Sequence, residues 1–218
     1  MPIIYKTITP AFRLGVWDVQ EPESFFLENF DYSSEELNEI DLKHGTHRLQ
    51  LLASRAVLYD MPLSNNGYKI IKDGYGKPHI VNVQGDISFT HSHNQAAAIY
   101  AKHKLVGIDI QIQTQKISRI APKFISPNEF KFINEHENKQ DYYHLIWGAK
   151  ESMYKAYGRR KVDFKDNLII DPFVYDPKGH KISGRVIMPD YSGDFDIYYT
   201  RLGDYYLVYC IEQNIHET

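Results

Sequence analysis

Two short motifs constrain this chain more than any other feature of its sequence. Residues 107–111 (Gly-Ile-Asp-Ile-Gln) place Asp109 in an apolar run typical of a buried strand. Residues 147–158 (Trp-Gly-Ala-Lys-Glu-Ser-Met-Tyr-Lys-Ala-Tyr-Gly) place Glu151 beside two lysines in a segment typical of a helix. Two carboxylates next to two cations are groups that hold a divalent metal and a phosphate. The motifs therefore indicate chemistry on a phosphorylated substrate.

The composition is that of an ordinary globular protein. The chain has 218 residues, of which 43% are hydrophobic and 24% charged, enough for one large domain or two halves of about 100 residues. A net charge of -3 argues against a general nucleic-acid binder. The single cysteine, Cys210, excludes an internal disulfide, and no stretch approaches the ~20 apolar residues of a membrane span. We therefore expect a cytoplasmic protein that has neither nucleic acid nor a membrane as a partner. A monomer is expected, but the sequence leaves the oligomeric state open.

Hydrophobic periodicity predicts strands and helices in both halves of the chain. Apolar residues recur at three- and four-residue spacing over residues 34–58, with an interruption near Gly45, which predicts a helix pair or one broken helix. Residues 126–129 (Ser-Pro-Asn-Glu) have the cap, proline and glutamate of a helix start, and residues 65–67 (Asn-Asn-Gly) predict a turn. Because strands and helices do not alternate regularly, the predicted class is α+β with antiparallel sheets.

The two motifs and three further segments, taken together, resemble a known family. Those segments are residues 76–78 (Gly-Lys-Pro), residues 90–92 (Thr-His-Ser) and the pair His47-Arg48. In this order and spacing the set resembles the signature of the 4′-phosphopantetheinyl transferases of the Sfp type, over roughly half of the chain, from Arg48 to Gly158. Each tripeptide alone is a weak signal, whereas the ordered set is specific.

The resemblance implies a fold and an activity. The expected fold has two similar α/β halves related by pseudo-twofold symmetry, each a small antiparallel sheet packed with helices. Residues 1–104 would bind coenzyme A, residues 105–218 would carry the metal and catalytic motifs, and the site would lie at their interface. Such enzymes transfer the 4′-phosphopantetheine arm of coenzyme A to a serine of an apo acyl or peptidyl carrier protein. The reaction needs Mg²⁺ and releases adenosine 3′,5′-bisphosphate.

The resemblance also implies roles at the metal. Asp109 and Glu151 would hold Mg²⁺, with Gln111 as a further ligand where many Sfp-type members have glutamate. Asp109, Glu151 and Lys155 would form the catalytic group. In it Lys155 steadies the transferring phosphate, and Glu151 is the proposed acceptor of the serine proton.

The expected coenzyme A contacts come from both halves of the chain. They are Arg48, Lys77, His91, Lys150 and Lys155. Arg48 would bind the 3′-phosphate of the adenosine, and His93 is an alternative to His91 for a phosphate contact. Which carrier protein is modified stays open.

Other interpretations of the same residues stay open at this stage. Glu151 and Lys155 are spaced as an ion pair on the surface of a helix. Because Gln111 has a neutral amide where the family often has a carboxylate, the chain could instead be a non-catalytic homologue that binds coenzyme A or a carrier protein. A metal-dependent hydrolase of nucleotide pyrophosphates would share the carboxylates, but the chain lacks a glutamate-rich hydrolase helix. The intact set of Asp109, Lys150, Glu151 and Lys155 favours the transferase.

Overall fold

The computed structural model describes residues 3–63 and 68–213. The chain divides into two compact units, Met1–Leu105 and Val106–Thr218. The turn predicted at residues 65–67 lies outside the described residues. The sheets are antiparallel and both units contain helices, so the predicted α+β class is confirmed.

In its described part, the first unit contains a four-stranded sheet, a two-stranded hairpin and three helices. The sheet has the order β1-β2-β6-β5, and β3 pairs with β4. The strands are β1 Ile3–Ile8, β2 Phe12–Asp18, β3 Lys69–Lys72, β4 Pro78–Val81, β5 Asp86–Ser92 and β6 Gln95–Ala101. The helices are α1 Glu23–Asn29, α2 Ser34–Asp41 and α3 Gly45–Tyr59. The helix interruption predicted near Gly45 is therefore the break between α2 and α3.

The core of the first unit lies between α3 and the four-stranded sheet. Ala53 and Ala56 of α3 and Ala96 and Ala98 of β6 are all fully buried in one apolar cluster. Small side chains on both surfaces let the helix lie close to the sheet. The sheet in turn fixes the end of β5, where the Thr-His-Ser segment lies.

Up to residue 213, where the described part of the chain ends, the second unit is a five-stranded sheet with three helices. Its strand order is β7-β11-β10-β9-β8. The strands are β7 Val106–Ile112, β8 Leu168–Ile170, β9 His180–Met188, β10 Tyr191–Leu202 and β11 Tyr205–Glu212. The helices are α4 Ile117–Ile120, which a short 3₁₀ turn at Ala121–Lys123 extends, α5 Pro127–Asn134 and α6 Lys139–Tyr157. No helix in the described part of the chain is long and apolar enough to cross a membrane.

Local signals fix where the helices of the second unit begin and end. Ser126 caps α5, and Glu129 completes a capping box with it, as the sequence predicted. α6 ends at Gly158, whose φ of 72° lies in the left-handed region that glycine adopts at low cost. The Lys-Glu motif therefore lies in the last turns of a 19-residue helix.

The approach of α6 to β7 is unusually close at Gly107. A Cβ built on Gly107 would lie 1.8 Å from the carbonyl oxygen of Ser152 in α6. The Ser152 hydroxyl donates a hydrogen bond of 3.0 Å to the carbonyl of Val208 in β11, which holds the helix on the sheet. The glycine of the Gly-Ile-Asp motif is therefore required for packing, because any larger residue would collide with helix backbone.

We predict that Gly107→Ala destabilises the protein by at least about 3 kcal/mol. The new methyl group on β7 would meet the backbone of α6 at Ser152 and Ala156, and backbone atoms cannot move aside as a flexible side chain would. Urea unfolding followed by circular dichroism measures the change. Gly74→Ala is the matched control, because a Cβ at Gly74 meets nothing within 4 Å. Equal stabilities for the two variants would contradict this account of the helix–strand contact.

Candidate functional site

Strand β7 and helix α6 together position Asp109 and Lys155. Asp109 is 8% exposed. The Lys155 ammonium lies 3.0 Å from Asp109 Oδ1 and donates a 2.8 Å hydrogen bond to the carbonyl of Ile108. The lysine therefore reaches across from the helix to the strand.

Glu151 lies one helical turn before Lys155 and is partly buried. Burial raises the pKa of its carboxyl group, Lys155 opposes this shift, and the negative charge of Asp109 adds to it. The two carboxylates therefore repel one another. A divalent cation between them would relieve that repulsion.

An apolar cavity opens beside Glu151. It has a volume of about 580 Å³, and its walls include Phe124, Trp147, Tyr154 and Phe164. Phe124 and Trp147 meet edge to face with ring centroids 4.9 Å apart. A carboxylate at the edge of such a cavity can meet an uncharged substrate segment and act on a polar atom at its end.

Lys150 has a structural environment, although it is next to Glu151 in sequence. Its side chain is fully buried, and its ammonium donates 2.8 Å hydrogen bonds to Glu129 and to the carbonyls of Phe124 and Phe164. Burial lowers the pKa of Lys150, while Glu129 opposes the shift. Three acceptors match its three donors. The predicted contact of Lys150 with phosphate is therefore not supported by this arrangement.

Glu129 caps the start of α5 and also pairs with Lys150, and the sequence indicated only the cap. One of its oxygens accepts hydrogen bonds from the backbone N–H of Ser126 and from Lys150, and the other accepts from the backbone N–H of Ile170. The buried pair of Glu129 and Lys150 thus joins α5, α6 and β8.

Gln111 is engaged by His144 of α6. Its Nε2 donates to the His144 carbonyl at 2.9 Å, and its Oε1 lies 3.0 Å from His144 Nδ1. This geometry does not support Gln111 as a metal ligand. Sequence reasoning missed His144, because nothing in the motifs indicates that it would face β7.

His144 is itself held in place by groups on two other elements. Both the backbone N–H and the carbonyl of Thr114 lie within hydrogen-bond distance of His144 Nε2, at 3.1 and 3.2 Å. Because the oxygen of an amide only accepts, the contact with Gln111 Oε1 requires the proton on Nδ1. The imidazole stacks on the Tyr206 ring at a centroid distance of 4.7 Å. Burial lowers the pKa of His144, consistent with a neutral ring.

In the first unit, Arg48 binds residues at the start of α1 and at the end of α2. Its guanidinium lies 2.6 Å from Glu23 and 2.9 Å from Asp41, and it donates to the carbonyl of Ile40 at 2.7 Å. Hydrogen bonds with Glu23 and Asp41 raise the pKa of Arg48. A phosphate at this position would share the guanidinium with these carboxylates or displace them.

Lys77 and His91 have different surroundings. Lys77 is buried, and its ammonium lies 2.9 Å from Asp86. His91 is exposed at the end of β5, and its ring centroid lies 6.2 Å from that of His47 in the first turn of α3. The structure therefore brings the Thr-His-Ser segment to the helix start that also carries Arg48. The alternative residue, His93, has a φ of 52°, and its carbonyl accepts from Gln50.

Asp109 and Glu151 suit a magnesium ion in their chemistry. Carboxylate oxygens are hard donors, and Mg²⁺ is commonly bound by one or two carboxylates together with water and substrate phosphates. Within residues 3–63 and 68–213, the structure assembles no group of three or more histidine, cysteine, aspartate or glutamate side chains around a metal position. Two carboxylates are thus the protein ligands that this arrangement offers.

Comparison with known proteins connects this geometry to one family. Residues 105–209 match the family described as the 4′-phosphopantetheinyl transferase superfamily. The chain is 35% identical over 88 residues to a 4′-phosphopantetheinyl transferase of Bacillus subtilis, with 39% of each chain covered. It is 30% identical over 124 residues to the 4′-phosphopantetheinyl transferase Sfp of Bacillus subtilis strain 168, with 54% of each covered. The matches therefore span about half, or less, of the length of these relatives.

The resemblance predicted from the motifs is confirmed by these matches. The segment that matches the superfamily contains β7 and α6, and with them Asp109, Glu151 and Lys155. A further relative, the 4′-phosphopantetheinyl transferase ffp of Bacillus subtilis, is 26% identical over 123 residues, with 54% of each chain covered. The chain is thus similar to Sfp-type 4′-phosphopantetheinyl transferases.

We predict that Glu151→Gln stabilises the metal-free protein at high pH. The pKa of Glu151 is higher in the folded protein than in the unfolded chain. Ionisation of its carboxyl group therefore lowers the free energy of unfolding as pH rises above the ordinary pKa of a glutamate. Below that pKa the group is protonated in both states and the loss disappears. The variant should unfold about 2 °C or more above the parent at pH 8, with a difference that shrinks toward pH 5. Thermal unfolding in the presence of a chelator measures both.

Glu137→Gln serves as the control, because Glu137 is exposed. It should leave the unfolding temperature unchanged across the same pH range. If Glu151→Gln were less stable than the parent at pH 8, the carboxylate would be a favourable group in the metal-free fold.

Proposed function

We propose that this chain transfers the 4′-phosphopantetheine arm of coenzyme A to a serine hydroxyl of an apo acyl or peptidyl carrier protein. Adenosine 3′,5′-bisphosphate is the other product, and the reaction requires Mg²⁺. The observation that carries the proposal is the cluster of Asp109, Glu151 and Lys155 on packed elements of the superfamily segment. The similarity to Sfp-type transferases supports the choice of substrates.

The reaction exchanges one bond to phosphorus for another. The serine oxygen forms a bond to the phosphorus that bears the pantetheine arm, and the bond from that phosphorus to the oxygen of the leaving bisphosphate breaks. Mg²⁺ held by Asp109 and Glu151 would neutralise the negative charge of the pyrophosphate. The residues around it must then position the phosphate and accept the serine proton.

Glu151 suits the task of accepting the serine proton. It lines the aromatic cavity, so a hydroxyl that enters there would meet its carboxylate. We propose that it takes the proton directly or through one water molecule.

Lys155 suits the task of holding the phosphate. Its ammonium is fixed by the Ile108 carbonyl and by Asp109. A cation held in place before substrate arrives loses little conformational freedom on binding. We propose that it steadies the transferring phosphate, whereas Lys150 stabilises the fold.

Arg48, Lys77 and His91 are proposed to bind the phosphates of coenzyme A. His91 is exposed and lies next to the start of α3, which also carries Arg48. Arg48 would contact the 3′-phosphate. Lys77 would contact a phosphate from its position beside Asp86.

One observation favours a second candidate function. Because the Gln111 amide is hydrogen-bonded to His144, the proposed metal position has Asp109 and Glu151 as its carboxylate ligands. A protein that binds coenzyme A or a carrier without catalysis would need no further metal ligand. Such a homologue would bind coenzyme A or a carrier protein and transfer nothing. The transferase leads because Asp109, Glu151 and Lys155 are all present and in one place.

We predict that the protein converts an apo carrier to its holo form only with a divalent metal, and that Asp109→Asn and Glu151→Gln each lower kcat/KM by at least about a hundredfold. The charge of the pyrophosphate must be neutralised for the bond to break. Intact-protein mass spectrometry of candidate apo carriers, incubated with coenzyme A and Mg²⁺, gives the measurement.

Glu137→Gln is the control, since it removes an exposed carboxylate elsewhere. Binding of coenzyme A without transfer to any carrier class would favour the non-catalytic homologue. Transfer at full rate in excess chelator would remove the metal from the proposal.

We predict that Arg48→Ala mainly raises the KM for coenzyme A and narrows the preference over dephospho-coenzyme A, because the proposed contact is to a phosphate that does not react. Steady-state kinetics with both cofactors measures the preference. Lys43→Ala, which removes a nearby exposed cation, should keep it. An unchanged preference in Arg48→Ala would show that Arg48 serves only to join Glu23 and Asp41.

A further inference from the structure

Gln111 and His144 make an unusually complete contact between β7 and α6. The Gln111 amide donates to the backbone carbonyl of His144 at 2.9 Å and accepts from the same residue's ring nitrogen Nδ1 at 3.0 Å. Both ends of the amide are therefore used by one residue. We name this contact the Gln111–His144 clamp.

The clamp fixes the direction of the amide. His144 precedes Glu151 by about two helical turns, a rise of roughly 10 Å along α6. A Cβ on Gly148, which lies between them, would be 3.0 Å from Gln111 Nε2, so the absence of a side chain there makes room for the amide. The Gln111 amide thus meets α6 at His144 and Gly148, two turns and one turn before Glu151.

The other half of the clamp is held independently of Gln111. The Thr114 N–H lies 3.1 Å from His144 Nε2, and the imidazole stacks on Tyr206. His144 is also fully buried. Releasing the amide would therefore remove the acceptor of the buried Nδ1–H of His144, which opposes movement of Gln111 toward a metal.

We infer that His144 withholds Gln111 from the metal. The clamp then joins β7 to α6, and among the residues that the structure describes Asp109 and Glu151 alone supply ligands at the proposed metal position. This inference rests on the proposed function for the presence of a metal. It assigns His144 a role in setting the ligand number, and it assigns Gln111 to the fold rather than to the site.

The test compares four variants with the parent in two measurements. Gln111→Leu removes the amide at similar shape, His144→Phe keeps the ring stack without its hydrogen bonds, and the third variant combines both changes. Asp109→Asn is the control for loss of a ligand. Mn²⁺ is the probe, with its Kd measured by electron paramagnetic resonance in the presence of coenzyme A, and thermal unfolding is recorded without metal.

Expected results differ between the two measurements. Gln111→Leu should keep the Mn²⁺ Kd within about twofold of the parent, whereas Asp109→Asn should raise it at least about tenfold. Both single clamp variants should lower Tm by about 4 °C or more. The double variant should lose clearly less than the sum of the two, since it removes both partners and leaves fewer buried groups unpaired.

Either of two results would overturn the inference. A tenfold weaker Mn²⁺ affinity in Gln111→Leu would show that the amide is a ligand, and additive Tm shifts would show that no clamp exists. Failure of the proposed function looks different. If the parent itself bound no Mn²⁺, the metal premise would fall, while the unfolding data would still decide whether Gln111 and His144 act as a pair.

Discussion

The candidate site depends on one close contact, the packing of α6 directly onto β7. At Gly107 the strand backbone lies so near the carbonyl of Ser152 that no side chain fits between them. This proximity lets Lys155 reach from the helix to the strand and bond both Asp109 and the Ile108 carbonyl. Two charged motifs that are far apart in sequence are thereby held as one rigid group, which lowers the entropy lost when a substrate binds.

Buried ion pairing supports this contact from the opposite side of the helix. Lys150 donates to Glu129 and to two backbone carbonyls, so no donor of its ammonium lacks an acceptor. Removing one partner of such a pair would leave an uncompensated buried charge, at a cost of about 3–5 kcal/mol. The two neighbouring residues of α6 therefore have different roles. Lys150 holds the helix against α5 and the loops around it, and Glu151 lines the aromatic cavity.

Elements with local signals could be predicted from the sequence, and contacts between distant residues could not. The break near Gly45, the helix start at Ser126 and the strand carrying Asp109 all follow from periodicity and capping. Helix α1 was missed, because its cap residue, Pro22, makes no side-chain cap and the helix is held by packing of Phe26 on Trp17. The directions of Lys150 and Gln111 were likewise out of reach, since their partners lie on other elements.

We propose that Asp109 and Glu151 hold a metal against a phosphate of coenzyme A. Pulsed electron paramagnetic resonance with Mn²⁺ and coenzyme A tests it directly, because a phosphate bound to the metal splits the signal through its ³¹P nucleus. We expect such a coupling in the parent protein and its loss in Glu151→Gln. A parent protein that binds Mn²⁺ and coenzyme A together without any ³¹P coupling would contradict it.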